Sequence, residues 1–155
     1  KLNIAPVKRG ESFIYRHKTA NYLENIYLKR LALKKGFNES LIINTDNKIL
    51  EGTMTNIFFI RENEVFTPKL SLNILPGIMR KEVIKVAKSV GIKVHECIID
   101  IGDLNKFDFV FITNSLLDVL KVREIEGVTY DKDNEVFYKL RTALEEKLYE
   151  CFRNC

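Results

Sequence analysis

Glu51 is a carboxylate that interrupts one of the most apolar stretches of the chain. The stretch ILEGTMTNIFFI, residues 49–60, places small polar residues between two apolar runs. A strand that served only the core would not be broken in this way, and departures from a local pattern are frequent at functional sites. A buried carboxylate needs a partner. The protonated nitrogen of a pyridine ring would suit it well.

Lys18 is an amine that could serve the same site. It lies in YRHKTANY, residues 15–22, between strand-like SFIY and a predicted helix. A lysine in such a place is usually a surface charge, but an amine of depressed pKa can act as a nucleophile. Alternation along a strand would point Arg16 and Lys18 the same way. That arrangement would lower the pKa of Lys18.

Two more strand ends change abruptly from apolar to polar residues. In NILPGIMR, residues 73–80, Gly77 opens a predicted helix whose first amides lack partners and could bind an anion, typically a phosphate. The absence of a side chain at Gly77 would let that anion approach the backbone closely. In ITNS, residues 112–115, Thr113, Asn114 and Ser115 could extend the anion site. The alternatives are a plain strand-to-helix turn and ordinary turn hydrogen bonding.

Each of these signals is weak alone, but together they match one kind of chemistry. Enzymes that use pyridoxal 5'-phosphate (PLP) need a lysine that forms a Schiff base, an acidic partner for the ring nitrogen and a phosphate site. Lys18, Glu51 and the helix beginning at Gly77 supply these three groups.

The apolar periodicity predicts a mixed α/β or α+β domain that holds these residues. Helical spacing covers residues 19–36, 77–91 and 134–152. Strand patterns cover 40–60, read as a hairpin around NTDN, and also 64–68, 92–100, 109–115 and 119–127. Residues 101–108 are predicted to be a short helix or loop. Strands and helices do not alternate strictly, which favours a partly antiparallel sheet.

The composition excludes several classes of protein. A chain of 155 residues with 46% hydrophobic residues is expected to form one domain. The net charge of +4, with both signs interleaved, argues against nucleic-acid binding. Three cysteines without metal-ligand spacing argue against a disulfide framework or a zinc site. No apolar run approaches about 18 residues, so no membrane span is expected, and a reducing cytoplasm is the default location.

Four segments in order resemble the class IV, or fold-type IV, PLP-dependent aminotransferase and lyase family. They are HKTANYLENI, LEGTMTNIFF, VFTP and ILPGIMR, and the resemblance runs over roughly residues 1–128. It implies a D-amino acid aminotransferase-like large domain, with a mixed, partly antiparallel sheet or barrel-like core and flanking helices. Residues 1–155 would be this PLP-binding domain. The chain starts without Met and in strand-like sequence, so we expect an N-terminal part to be missing, and the resemblance implies that this part is the smaller domain of the family.

The resemblance assigns cofactor contacts residue by residue. Lys18 matches the lysine that forms the Schiff base and then moves protons. Glu51 matches the carboxylate paired with the ring nitrogen, and Leu75 the side chain against the ring. The backbone amides of Ile78 and Met79, beside Gly77, match those that hold the phosphate.

Four further residues match positions with additional contacts. Asn114 and Ser115 match polar residues that complete the cofactor and phosphate contacts. Thr55, with its neighbour Asn56, falls in the segment beneath the ring. Tyr22 is expected near the phenolic oxygen of the cofactor. The missing domain would add a phosphate ligand and substrate contacts, and the full-length protein would be a homodimer with a small-molecule substrate.

Two features favour one branch of the family, the 4-amino-4-deoxychorismate lyases. Only two residues separate Lys18 from Asn21, whereas branched-chain aminotransferases have one more. ITNSLLDVLKV also resembles the lyase pattern more than the TPV-containing one of the transaminases. The lyase would release 4-aminobenzoate and pyruvate in folate biosynthesis. A D-amino acid aminotransferase, a branched-chain aminotransferase and an inactive domain used only for binding remain alternatives.

Overall fold

Three α-helices and ten strands make up the described part of the chain. The computed structural model describes the backbone of residues 1–153 and the side chains of residues 1–148. The helices are α1 (Leu23–Lys34), α2 (Ile78–Ser89) and α3 (Glu135–Arg153). The strands are β1 (Leu2–Ile4), β2 (Glu39–Ile43), β3 (Ile49–Gly52), β4 (Asn56–Arg61), β5 (Glu64–Pro68), β6 (Val94–Cys97), β7 (Phe109–Asn114), β8 (Asp118–Val122), β9 (Glu124–Ile125) and β10 (Val128–Thr129).

The strands form two open sheets of five. The first sheet has the order β10-β9-β1-β2-β3, and the second has the order β6-β5-β4-β7-β8. Parallel pairs (β1 with β2, β1 with β9, and β5 with β6) occur beside antiparallel ones in both sheets. The predicted mixed α+β fold with partly antiparallel pairing is therefore confirmed. Of its two expected forms, sheet and barrel, the described strands adopt the open-sheet form and do not close into a barrel.

The molecule is layered, and strand alternation decides which residues belong to which layer. Ile57 and Phe59 of β4 face the first sheet, in an apolar cluster that we name the inter-sheet core. Phe58 and Ile60 face the opposite way and pack with α2 and α3. A third cluster, the α1-side core, packs α1 against the outer face of the first sheet; it consists of Ala5, Leu28, Ile42, Leu50 and Ile74. The order of layers is therefore α1, first sheet, second sheet, and α2 with α3.

The predicted helices are confirmed, but three strand predictions need correction. Residues 119–127 are not one strand, because β8 lies in the second sheet and β9 in the first. Residues 49–60 are not one interrupted strand, because β3 lies in the first sheet and β4 in the second. The small polar residues between them are the crossing point from one sheet to the other. The SFIY segment is not strand-like: Phe13–Arg16 form a 3-10 turn that begins at Ser12, whose hydroxyl accepts a hydrogen bond from the Ile14 amide.

Neither a membrane span nor a metal cluster is found in the part of the chain that the structure describes. None of its helices is long and apolar enough to cross a bilayer. No group of three metal-ligating side chains is found there. Cys97 is a free thiol, and the side chains of Cys151 and Cys155 lie outside the described residues.

Candidate functional site

A β-bulge in β3 determines where Glu51 points. Ile43 pairs with Ile49, and the next pair is Ile42 with Glu51, so Leu50 is an extra residue on β3. Paired residues on adjacent strands share a face, and both Ile42 and Leu50 belong to the α1-side core. Regular alternation would have placed Glu51 on the face of Ile49, in the inter-sheet core. The bulge therefore turns the carboxylate out of that core.

Glu51 is buried, with both carboxylate oxygens engaged. Only 6% of the residue is exposed. Oε1 accepts a hydrogen bond of 2.8 Å from Nη1 of Arg9, and Oε2 accepts one of 3.0 Å from the backbone amide of Leu75. Burial raises the pKa of Glu51 to about 7, even though Arg9 and the Leu75 amide act to lower it. The group thus titrates near neutrality.

Arg9 is a residue of the site that the sequence did not reveal. It is 3% exposed and donates to Glu51, to Glu24 at 3.2 Å and to Asn25 at 3.3 Å. Its position in a Lys-Arg pair near the start of the chain is typical of a surface charge. Because a lone arginine letter carries no information about burial, only the tertiary structure reveals this role.

The start of α2 presents backbone amides and is joined to Glu51 through Leu75. No described residue accepts a hydrogen bond from the amides of Ile78, Met79 or Arg80, and Gly77, which precedes the helix, has no side chain to cap it. Asn56 of β4 donates to the carbonyl of Leu75 at 3.0 Å. Glu51 and the open end of α2 are therefore neighbours, and these amides can receive an anion.

The contact of Gly77 with Asn56 explains why glycine stands before α2. A Cβ added at residue 77 would overlap with the side-chain oxygen of Asn56. The backbone of Gly77 is in the extended region, with φ −62° and ψ 142°, which other residues adopt readily. Glycine is needed here for close approach rather than for an unusual dihedral angle.

Lys18 is exposed, in the segment that precedes α1. Its amine donates a hydrogen bond of 2.8 Å to the hydroxyl of Tyr22 and lies 4.7 Å from the centre of that ring. The expectation that Arg16 points the same way as Lys18 is wrong, because a 3-10 turn does not alternate. Arg16 instead donates to the side chain of Asn73 at 2.7 Å. This bond ties the lysine segment to the loop that leads to Leu75.

The β7–β8 turn completes the group of predicted residues. The Asn114 side chain donates to the Met54 carbonyl at 3.1 Å and accepts from the amides of Leu116 and Leu117. Asn114 thus makes the turn and anchors it to the segment between β3 and β4. Ser115 is exposed, and no described residue bonds its hydroxyl. Of the two, Ser115 is free to meet a ligand with its side chain.

Thr55 contributes a buried hydroxyl without a partner. Its Oγ1 is inaccessible to solvent and bonds to no described residue, while its carbonyl accepts from the Gly52 amide at 2.8 Å. An unsatisfied buried hydroxyl costs free energy, and such groups in folded proteins call for an explanation. Thr55 lies between Glu51 and Asn56, in the segment expected beneath a cofactor ring.

Some of the predicted residues are linked by hydrogen bonds, but among the described residues Lys18 bonds only Tyr22 and has no direct bond to Glu51 or to α2. Hydrogen bonds connect Glu51 to the 73–77 loop, that loop to Arg16, and the residue 52–56 segment to Asn114. A cavity of about 320 Å³ lies at this loop; the residues that line it, Arg16, Leu70, Ser71, Ile74 and Pro76, are not among the predicted site residues. The arrangement offers an amine, a carboxylate and open amides. These groups fit the aldehyde, the ring nitrogen and the phosphate of the expected cofactor.

Comparison with known proteins identifies relatives with two activities. A family model described as amino-transferase class IV matches residues 5–125. The aminodeoxychorismate lyase of Vibrio harveyi is 33% identical over 127 residues, covering 82% of this chain and 45% of that enzyme. The branched-chain-amino-acid aminotransferase of Escherichia coli K12 is 32% identical over 108 residues, covering 70% and 35%.

Solved structures share the fold along almost the whole chain. A crystal structure designated a 4-amino-4-deoxychorismate lyase, from Legionella pneumophila, has a TM-score of 0.88 at 30% identity and covers 94% of this chain and 54% of its own. An aminotransferase from Brucella abortus, bound to the co-factor PLP, has a TM-score of 0.84 at 27% identity, with coverages of 94% and 52%. The chain spans about half the length of these two solved relatives.

Proposed function

The chain belongs to the class IV aminotransferase family, and we propose that it binds PLP around Lys18, Glu51 and the start of α2. The observation that carries the proposal is Glu51, a buried carboxylate that hydrogen-bonds the amide of Leu75 just before the open amides of α2. A carboxylate and an anion site so connected suit the two ends of one cofactor. The PLP-bound relative from Brucella abortus supports this choice.

Each predicted residue then takes the role that the family resemblance implies. The Lys18 amine holds the cofactor, and Tyr22, its hydrogen-bond partner, lies near the phenolic oxygen. Glu51 accepts the ring N–H, and Leu75 lies against the ring. The amides at Ile78 and Met79 hold the phosphate, with Gly77 giving close access. Thr55 lies beneath the ring, and Asn114 and Ser115 close the phosphate side.

Chemistry at this site depends on how the chain places charges and protons. Bound PLP supplies an electron-withdrawing ring that stabilises negative charge at the substrate carbon bearing nitrogen. Lys18, freed when the substrate amine takes its place, acts as general base at that carbon. The Tyr22 hydroxyl orients the lysine amine between these tasks. Glu51 in its ionised form retains the proton on the ring nitrogen.

We further propose that the full-length protein is a 4-amino-4-deoxychorismate lyase of folate biosynthesis. The proton removed by Lys18 and the departing enolpyruvyl group leave an aromatic ring, so the products are 4-aminobenzoate and pyruvate. The Vibrio harveyi lyase, and the Legionella pneumophila structure that carries a lyase designation, support this assignment. So does the short spacing between Lys18 and Asn21.

An aminotransferase acting on branched-chain or D-amino acids is the second candidate. The Escherichia coli branched-chain enzyme, at 32% identity, favours it. It would use the same Lys18 as the base that takes up and returns the substrate proton. Both candidates need the same Glu51 and α2 contacts, so they differ in substrate and not in cofactor site.

Cofactor attachment is tested by adding PLP, reducing with borohydride and locating the modified residue by mass spectrometry. Modification of Lys18 is expected, and Lys18→Ala should lose it. Lys34→Ala is the matched control. It removes an exposed lysine at the end of α1 and should still be labelled at residue 18. Labelling that persists unchanged in Lys18→Ala would overturn the assignment.

Substrate assays separate the two activities. The full-length protein should release pyruvate from aminodeoxychorismate without any amino acceptor. D-alanine or leucine with 2-oxoglutarate should give little product. The opposite pattern would replace the lyase by an aminotransferase while leaving the cofactor site intact.

The wider setting is also a proposal. We place residues 1–155 as the larger domain of a two-domain, cytoplasmic homodimer whose smaller N-terminal domain adds a phosphate ligand and substrate contacts. The solved relatives are about twice as long as this chain. Without the smaller domain, the chain would be a binding domain with little activity.

A further inference from the structure

Arg9 has its main chain and its guanidinium fixed by neighbours on several elements. Its amide donates to the carbonyl of Ile43 at the end of β2, and its carbonyl accepts from Thr45. Its guanidinium lies 4.4 Å from the centre of the Tyr15 ring. A buried arginine held at both ends cannot leave its place without breaking several bonds.

The contacts of Arg9 connect the first turn of α1 to the end of β3. Nη1 donates to Glu51 on β3 at 2.8 Å, Nε to Glu24 at 3.2 Å and Nη2 to Asn25 at 3.3 Å. The side-chain amide of Asn25 donates in turn to the carbonyl of Thr53, two residues after Glu51. Arg9 thus joins the helix that follows Lys18 to the strand that carries the carboxylate.

Two charged residues act on Glu51. Arg9 favours its ionised form, and Glu24, on the other side of Arg9, disfavours it. Burial also favours the neutral carboxyl. The Leu75 amide is a neutral donor. Arg9 is therefore the one cation among the described residues that bonds directly to Glu51. Removing Arg9 would leave a buried carboxylate beside a second carboxylate.

We propose that Arg9 is the positioning residue of this site, which fixes the orientation of Glu51 and maintains its negative charge. Its benefit to a bound cofactor rests on the proposed function, because only an ionised Glu51 can retain a proton on a ring nitrogen. The effect of Arg9 on Glu51 itself does not depend on the proposed function. Arg9 touches neither ring nor phosphate in this assignment and acts through Glu51.

The direct test is the titration of Glu51 in the cofactor-free protein. Glutamate labelled with ¹³C at the side-chain carboxyl gives a resonance that Glu51→Gln identifies by its loss. Arg9→Met should move the midpoint of this resonance upward by about 1 to 3 pH units, the range for loss of a close opposite charge. Arg9→Lys should recover part of the shift. Arg61→Met, which removes an arginine stacked on Phe66, is the control and should change nothing.

Glu24→Gln provides a test of opposite sign. It leaves Arg9 with Glu51 as its only carboxylate, so the midpoint of Glu51 should move downward. This variant keeps the buried cation and serves if Arg9→Met does not fold. An unchanged Glu51 midpoint in Arg9→Met, or an upward shift in Glu24→Gln, would overturn the proposal. A loss of stability with no shift would mean that Arg9 is only structural.

Cofactor binding gives an independent measurement. The loss of PLP affinity in Arg9→Met should be largest near neutral pH and should shrink as rising pH ionises Glu51. A purely structural defect would give the same loss at every pH. If the wild-type chain binds no PLP, the proposed function fails, but the carboxyl titration still decides the role of Arg9.

Discussion

Residues with similar chemical signals in the sequence have very different surroundings in the fold. Glu51 was found because it breaks an apolar run, and the structure gives that break a cause, the bulge and the passage between sheets. Lys18 was found through residue type and resemblance, and it lies exposed beside Tyr22. Arg9 could not have been found this way, because nothing in the sequence indicates that it is buried. The residue types indicate the chemistry, but the pairing of Arg9 with Glu51 is visible only in the folded structure.

Glu51→Gln should change how stability depends on pH in the cofactor-free protein. The folded-state pKa of about 7 lies above the ordinary 4.5, so the folded protein binds this proton more tightly than the unfolded chain. The stabilisation of the folded state by this bound proton is complete below the pKa of the unfolded chain, and it is lost as pH rises through 7. Relative to Glu51→Gln, wild-type unfolding free energy should fall by about 3 kcal/mol between these limits.

Urea unfolding at pH 4.5 and pH 8 measures this difference. Glu51→Asp, which retains a titrating carboxyl, is the matched control and should keep a pH-dependent term. A constant difference between wild type and Glu51→Gln at the two pH values would contradict the prediction.

At the scale of elements, helices were predicted more accurately than strands. The apolar faces of α1 and α2 repeat with a helical period, and each helix starts and ends within a few residues of the prediction. The strands around Glu51 were predicted as one, because two consecutive apolar runs do not say which sheet each belongs to. The 3-10 turn at 13–16 was also missed, because its short apolar run resembles a strand.

Gly77→Ala should disturb the start of α2. The new methyl group would overlap with the Asn56 oxygen, and Asn56 cannot move freely because it donates to Leu75. Such overpacking costs about 1 to 3 kcal/mol, and displacement of the 75–77 loop should also weaken PLP binding. Gly10→Ala is the matched control, since nothing lies within 4 Å of its added Cβ.

Thermal and urea unfolding of the two alanine variants provide the readout. Gly10→Ala should remain within about 0.5 kcal/mol of wild type. Equal stability of Gly77→Ala and wild type would show that the loop adapts, which would remove close packing as the reason for glycine.

At the scale of the whole molecule, the layers put the candidate site at an edge of the core. Its residues come from the α1 side of the first sheet, the 52–56 crossing, the start of α2 and the β7–β8 turn. The general mixed architecture was predictable from periodicity. The division into two sheets was not, because strand order depends on contacts between residues far apart in the chain.

The chain alone should bind PLP more weakly than a full-length relative. The proposed smaller domain would add a charged contact to the phosphate, and one such hydrogen bond contributes about 1.5 to 3 kcal/mol, or roughly 10- to 100-fold in affinity. PLP titration followed by visible absorbance, beside the Vibrio harveyi lyase under the same conditions, measures the ratio. Equal affinities would contradict a need for the smaller domain.

The bulge at Leu50 decides which face of β3 carries Glu51. Side chains along a strand alternate between two faces, and one extra residue reverses the alternation for everything that follows. If the bulge were lost without a change in length, Leu50 would pair with Ile42 and Glu51 with Leu41, which would turn the carboxylate into the inter-sheet core. A related chain could therefore lose the carboxylate from the site through a change of strand register alone. An inventory of its amino acids would still find Glu, Lys and the open helix end.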